Sequence, residues 1–320
     1  MVIENGHLVD DVSTQVPAFA NTINTGLMYN IGSAPSANLG GKTFPVYVGN
    51  VVGGSSMING MAFDRASAAD YDAWEALGNS GWNWNSLLTY FKKSTTFTPP
   101  TRSIAEEFGI TFDSSYYSTS GPVQASFPNF EYQDTKNIWA AWKAEGVPLP
   151  REHAAGSAVG AFWTPTALLP KSQTRSSARN AYYDPIKDRS NLHLVTGKTV
   201  NEILFDQGLL GLTSPKANGV QYVSRSDGSV GQVHAKREVI LAAGSIFTPQ
   251  LLQLSGIGPR DVLSAAGVGM KKELNAVGAN MQVGRTFLSV VKPHAKVLSP
   301  GSSKRKYDLR REEPEPRQRQ

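Results

Sequence analysis

The chain has 320 residues, 40% of them hydrophobic and 18% charged, and a formal net charge of +5 at pH 7. That length holds one large domain or two, and the composition is that of an ordinary globular protein with ample core. The absence of cysteine excludes disulfides, thiolate metal sites and a cysteine nucleophile, but it leaves the compartment open.

No apolar run approaches the roughly 18 residues needed to cross a bilayer. No basic patch followed by an apolar block marks a signal peptide at the N-terminus, so localisation is not assigned. The charge is unevenly placed. Residues 283–320 carry ten of the 31 basic and four of the 26 acidic residues, leaving 21 basic against 22 acidic elsewhere. The basic balance therefore belongs to the tail and says nothing about the globular part.

In chain order, Met1-Val2-Ile3 is a short apolar run that ends in Glu4 and Gly6, which reads as a strand and its exit. Gly49 to Asp72 reads GNVVGGSSMINGMAFDRASAADYD. Gly53 and Gly54 clear side chains from the main chain, so a flat or charged ligand can lie against it. Ser55 and Ser56 are expected to cap a helix start and present its free N–H groups to that ligand. A plain glycine-serine turn would read the same way.

Asp70 to Lys93 predicts two helices broken by Leu77-Gly78-Asn79-Ser80-Gly81, with Trp74, Trp82 and Trp84 as packing residues. Thr98 to Tyr117, with Pro99-Pro100, predicts a loop-rich excursion, and Lys136 to Glu145 a helix ended by Gly146. Thr174 to Tyr183 is expected to be helical, with Thr174 or Ser176 as its cap. Leu192 to Val195 and Thr199 to Phe205 are β-rich, and Ala217–Ser224 with Val230–His234 predicts a hairpin. Glu238 to Gly244 reads as a buried strand, with the next helix opening at Thr248-Pro249. No internal repeat is visible.

Two of these stretches carry a resemblance. Gly49, Asn50, Val52, Gly53, Gly54, Ser55, Ser56, Ile58, Asn59, Phe63, Ala66 and Asp72 satisfy every specified position of the first signature of the glucose–methanol–choline (GMC) flavoprotein oxidoreductases. Gly244 to Gly258, GSIFTPQLLQLSGIG, is similar to the second signature in full. Two long patterns in the expected order are far more specific than a lone glycine motif. The resemblance runs from about Met1 to Gln282 and is closest in flavour to the fungal alcohol-oxidising members.

The resemblance implies an α/β fold: an incomplete FAD-binding Rossmann-like domain of GMC type over residues 1–282, with part of an α+β substrate-domain excursion. The first strand and the glycine-rich phosphate loop would precede Met1. FAD is the implied cofactor. Glu4 matches the acid that, at the end of the second strand of dinucleotide-binding folds, hydrogen-bonds a ribose hydroxyl. Taken without the family it is a surface carboxylate at a strand end. Val200 matches a strand whose backbone meets the adenine, and Ala243 and Gly244 lie where main chain approaches the cofactor. Ser55, Asn59, Gly60 and Met61 are the implied flavin contacts, with Gly53 and Gly54 making room. Amides near the ring stabilise the negative charge gained on reduction.

The implied activity is FAD-dependent oxidation of the CH–OH group of a primary alcohol, such as an aryl alcohol, a polyol or a sugar. Hydride goes to the flavin and an electron acceptor, oxygen or a quinone, reoxidises it. Neither nucleic acid nor a membrane is an expected partner. The family's histidine base lies in a C-terminal part that this sequence does not match. His7, His153, His193, His234 and His294 occupy no corresponding position, so no catalytic residue is assigned; each reads as structural or solvent-exposed. No metal site is expected.

After Asn280-Met281-Gln282 the pattern should reach an Asp-His pair but reads Val283-Gly284-Arg285 instead. Residues 283–320 are expected to be a disordered tail of translated intron or frameshifted sequence. The competing reading takes Lys304-Arg305-Lys306 and Arg310-Arg311 as a nucleic-acid or membrane-surface patch, diluted by Glu312, Glu313 and Glu315. On the first reading the 320-residue product binds FAD weakly or not at all. The alternative to an enzyme is a non-catalytic remnant or mis-spliced product without flavin.

Overall fold

In the computed structural model, which describes residues 1–20, 22–206 and 215–281, the elements follow a mixed order. It runs β1 (Val2–Ile3), α1 (Val12–Gln15), β2 (Met28–Gly32), β3 (Pro45–Gly49), α2 (Ala68–Ala76), α3 (Trp84–Ser94), β4 (Thr95–Thr98) and α4 (Arg102–Phe108). Then come β5 (Val123–Ser126), α5 (Thr135–Ala144), β6 (Leu168–Leu169), β7 (Thr174–Arg175), β8 (Leu194–Val195) and β9 (Lys198–Asp206). The rest are β10 (Lys216–Ser224), β11 (Val230–His234), α6 (Gly244–Leu254), β12 (Ile257–Gly258), α7 (Arg260–Ala265) and β13 (Lys272–Glu273).

These elements lie within a unit spanning Met1–Ala279. The expectations for residues 283–320 fall outside the described residues.

The sheets are small. β9, β10 and β11 form an antiparallel three-stranded sheet, and the remaining strands pair in twos. Pairs β1–β8, β4–β5 and β12–β13 are parallel, whereas β2–β3 is an antiparallel hairpin. The expected hairpin at 217–234 is present, because the turn residues Ser226 to Ser229 separate two β-forming runs, of which β11 alternates in burial.

Helices α2 and α3 form where expected, and their starts are local chemistry. Ser67 and Asp70 close a capping box on α2, and Asn83 caps α3 through the Ser86 amide. The tryptophan expectation divides: Trp84 is buried, while Trp74 and Trp82 are exposed and lie 6.1 Å apart.

Four expectations fail for identifiable reasons. The stretch Thr98–Tyr117 contains α4, capped by Thr101 and stopped by Gly109 in a left-handed conformation, so it is not merely loop. Thr174 and Arg175 form β7 against β6, and a π-turn follows at Arg179–Tyr183. Ser177 rather than Thr174 or Ser176 caps that turn, its hydroxyl accepting the Asn180 amide at 3.3 Å.

Glu238–Ala243 is not a strand. Its apolar run leaves Ile240 77% exposed, because no strand among the described residues lies beside it to complete the backbone hydrogen bonds. Finally, α6 begins at Gly244, which puts Pro249 inside the helix instead of at its start. The proline costs one amide donor toward Ser245, one turn before it.

The largest buried cluster is aromatic and sits under β4 and β5. Phe97, Phe108, Tyr117 and Phe127 are its rings. Phe97 stacks on Tyr117 at 4.4 Å and meets Phe127 edge-on at 6.3 Å. Phe97→Ala is expected to cost about 3–5 kcal/mol of unfolding free energy, read by urea denaturation, since the cavity cannot close between rigid rings.

Beside this cluster lies a buried charged group. His153 is 1% exposed, with Nε2 3.1 Å from Asp64 and Nδ1 3.3 Å from Glu152, and its ring stacks on Phe162. Glu152 also accepts from the Tyr117 hydroxyl at 3.0 Å and the Asp113 amide at 2.8 Å. The Arg65 guanidinium lies over the Tyr117 ring at 4.9 Å.

Candidate functional site

The glycine-rich loop leaves β3 at Gly49 and turns back on itself within six residues. Gly53 and Gly54 both adopt positive φ, +102° and +57°, which a side chain would resist. The fold is so tight here that the loop touches its own start: the Gly49 amide donates to the Ser55 hydroxyl at 3.1 Å. The Ser56 hydroxyl donates to the Gly53 carbonyl at 2.6 Å and accepts the Ala178 amide at 2.9 Å. The expectation that these serines cap a helix is therefore corrected. Residues Gly54–Met57 make a single 3₁₀ turn with no side-chain cap, and both hydroxyls are spent holding the loop together.

The end of the loop is held differently. Asn59 Oδ1 accepts from the Met61 amide at 3.1 Å and from Arg175 Nη1 at 2.6 Å. Met61 takes a positive φ of 63°, uncommon for a residue with a side chain, and is buried. Both lone pairs of the Asn59 oxygen face inward, so its NH₂ is turned outward and has no protein partner among the described residues. Asn59 and Gly60 are themselves exposed, and a Cβ built on Gly60 or Gly54 would meet nothing within 4 Å.

Glu4 reaches this loop through Gly6 and His7, the two residues that follow Asn5. Beyond β1 the chain passes so close that a Cβ on Gly6 would overlap the Asn50 and Val51 backbone, and the Val52 amide donates to the His7 carbonyl at 3.1 Å. The Glu4 carboxylate accepts the Gly6 amide at 2.7 Å. Burial pushes its pKa upward, against the lowering effect of the Gly6 and Asn5 amides. Its main-chain carbonyl accepts the Lys198 amide at 3.2 Å, which brings the start of β9, and with it Val200, to the same edge. Val200 is half-buried and pairs with Tyr222 beside a register shift in the β9–β10 ladder.

Ala243 and Gly244 stand exposed at the start of α6, with no side-chain cap on its first amides and open space around Gly244. One turn on, Phe247 packs on Tyr29 of β2 at 4.4 Å, and β2 is the partner of the strand that feeds the loop. The Tyr29 hydroxyl is raised by burial and then by the nearby Glu4 charge.

Of the residues singled out in the sequence, Glu4 connects to the 49–61 loop through Gly6 and His7, while Val200, Ala243 and Gly244 lie on elements that reach it only through β1 and β2. The comparisons fit this arrangement: the sequence profile described as GMC oxidoreductase matches residues 22–285. The chain belongs to the GMC oxidoreductases.

Relatives of this GMC oxidoreductase include the dehydrogenase xptC of Emericella nidulans, 40% identical over 253 residues, which are 79% of this chain and 40% of that protein. Among solved structures, the FAD-dependent oxidoreductase of Chaetomium thermophilum superposes with a TM-score of 0.79 at 40% identity, over 85% of this chain and 46% of that one. A fungal aryl-alcohol oxidase does so with a TM-score of 0.78 at 35% identity, again over 85% and 46%. The GMC chain thus spans less than half the length of each of these three proteins. FAD is the cofactor that this family membership carries.

The residues present fit an anionic flavin nucleotide. Main chain free of Cβ atoms, an outward amide donor on Asn59 and uncapped amides at the start of α6 are what such a ligand requires. Sequence reasoning did not find Arg175. Its only signal was one of two arginines in a small-residue run, which reads more simply as a helix start. The Glu152–His153 pair was equally silent, because its partner Asp64 lies 89 residues away from His153.

No group of three or more His, Asp or Glu residues able to hold a metal occurs among the described residues. No helix there is long and apolar enough to cross a membrane.

Proposed function

We propose that the 49–61 loop, with Glu4, Val200, Ala243 and Gly244, forms one wall of an FAD site in an oxidoreductase acting on the CH–OH group of a primary alcohol. Aryl alcohols, polyols and sugars are the substrate classes, and oxygen or a quinone is the electron acceptor. The outward amide of Asn59 above glycine main chain is the observation that carries this reading.

Bound FAD would supply the hydride acceptor for the alcohol carbon, while the hydroxyl proton passes to a base. The residues of this chain do the binding. Glu4 offers an acceptor carboxylate for hydroxyl groups, the glycines allow close approach, and the amides of the loop and of α6 oppose negative charge. None of the described histidines is assigned the role of base.

Equilibrium dialysis against FAD tests the reading. Weak one-to-one uptake is expected, reduced at least tenfold by Gly60→Val and unchanged by Gly269→Val, since that glycine also has open space around it but lies outside the loop. No uptake, or equal uptake by both variants, would overturn it and favour a flavin-free remnant. Bleaching of the visible flavin bands by an alcohol under anaerobic conditions then distinguishes an oxidoreductase from a passive binder.

A further inference from the structure

Arg175 is 3% exposed, and no carboxylate pairs with it among the described residues. By contrast, Arg179, one turn further on, is met by Asp10 and Asp184. Arg175 donates instead to neutral oxygens: Nε to the Thr14 carbonyl at 2.7 Å, Nη1 to Asn59 Oδ1 at 2.6 Å and to the Ser56 carbonyl at 3.2 Å. Its Nη2 is buried with no partner among the described residues. A buried cation with no counter-charge is expensive, so its persistence asks for an explanation. The cost shows as burial depressing the Arg175 pKa.

We propose that Arg175 is a positioning residue for the flavin site: it locks the Asn59 carboxamide with oxygen inward and NH₂ outward, and lends the loop an uncompensated positive charge. The two effects work together. A free asparagine amide flips between two orientations of similar energy, and only one of them presents a donor. Arg175 donates only, so it selects the orientation in which oxygen faces it. Its charge then favours a ligand that is anionic or becomes more so on reduction. This inference rests on the FAD reading above for its ligand, though not for its geometry.

The test uses Asn59→Asp, which has almost the same shape. A carboxylate there faces Arg175 with one oxygen and the ligand with the other, so it supplies the missing counter-charge but replaces the donor by an acceptor. The thermal midpoint is expected to hold or rise at pH 7, while FAD uptake falls at least tenfold. The gain in midpoint should be present above the ordinary aspartate pKa and disappear as pH drops below it, because pairing with Arg175 depresses the folded pKa. A merely structural asparagine would give no such pH profile.

Arg175→Lys keeps a charge but not the fork. It is expected to raise hydrogen exchange at the 56–61 amides at least tenfold, while retaining more FAD uptake than Arg175→Met. A fall in midpoint for Asn59→Asp at pH 7, or unchanged exchange at 56–61 in Arg175→Lys, would overturn the inference. If the wild-type chain takes up no FAD, the flavin reading fails. The exchange and midpoint measurements still decide the role of Arg175.

Discussion

Gly49→Ala is expected to destabilise the chain by about 3 kcal/mol, at the upper end for an overpacked site, whereas Gly60→Ala stays within about 0.5 kcal/mol. The first places a methyl group into the backbone of Gly54 and only 2.7 Å from the Ser55 amide nitrogen. Backbone cannot rotate away as a side-chain tip can, so the loop must open. The second points its methyl group into open space, with ordinary backbone angles.

Thermal unfolding separates the two variants, with a midpoint drop of about 5 °C for Gly49→Ala in a chain of this size. Tolerance of Gly49→Ala to within about 1 kcal/mol would mean that the loop does not double back on β3. The pair also divides two uses of glycine in one signature. Gly49 is there for the chain itself. Gly60 is free for something else.

Stability is expected to fall by about 2 kcal/mol as pH rises from 6.5 through 9, because His153 loses its charge in that window. Burial opposes the charged imidazole, but the Asp64 and Glu152 carboxylates outweigh it and push the pKa up to about 9. The sign follows from the raised value. The folded state holds a proton that the unfolded chain has released, so the contribution is complete below the unfolded pKa and is lost through the folded one. The half-exposed Asp64 carboxylate reduces the size of the effect.

On the acid side the same group weakens again. Burial works against the Asp64 and Glu152 carboxylates, yet His153 and backbone donors hold both below their ordinary range. Their contribution is present above the usual carboxylate pKa and lost as pH falls through the lowered values. Urea unfolding between about pH 2 and pH 10 reads both limbs. His153→Gln should flatten the alkaline limb and cost roughly 3–5 kcal/mol at pH 7, since it leaves two carboxylates without their cation. A wild-type profile flat from pH 6 to 9.5 would remove His153 as the source.

Local chemistry made part of this protein legible in its sequence. Ser67 and Asp70, Asn83 and Gly146 mark ends of the expected helices through bonds or φ values that involve only near neighbours. The β10–β11 hairpin likewise follows from two β-rich runs joined by turn residues. The signature Gly49 to Asp72 carried the family, and with it FAD, and two of its glycines, Gly49 and Gly53, sit where a Cβ would overlap its neighbours.

What only the tertiary structure decided depends on residues far apart in the chain. Ile240 has the apolar character of a buried strand residue, yet a strand exists only where a partner completes its hydrogen bonds. Ser55 and Ser56 have capping chemistry, but the return of the chain onto Gly49 and the approach of Ala178 claimed their hydroxyls first. Arg175 acquired its role from Asn59, 116 positions earlier, and His153 its raised pKa from the Asp64 carboxylate, at a separation of 89. Sequence sets what each side chain can do over a few residues; the fold alone sets which charges and donors meet across a hundred.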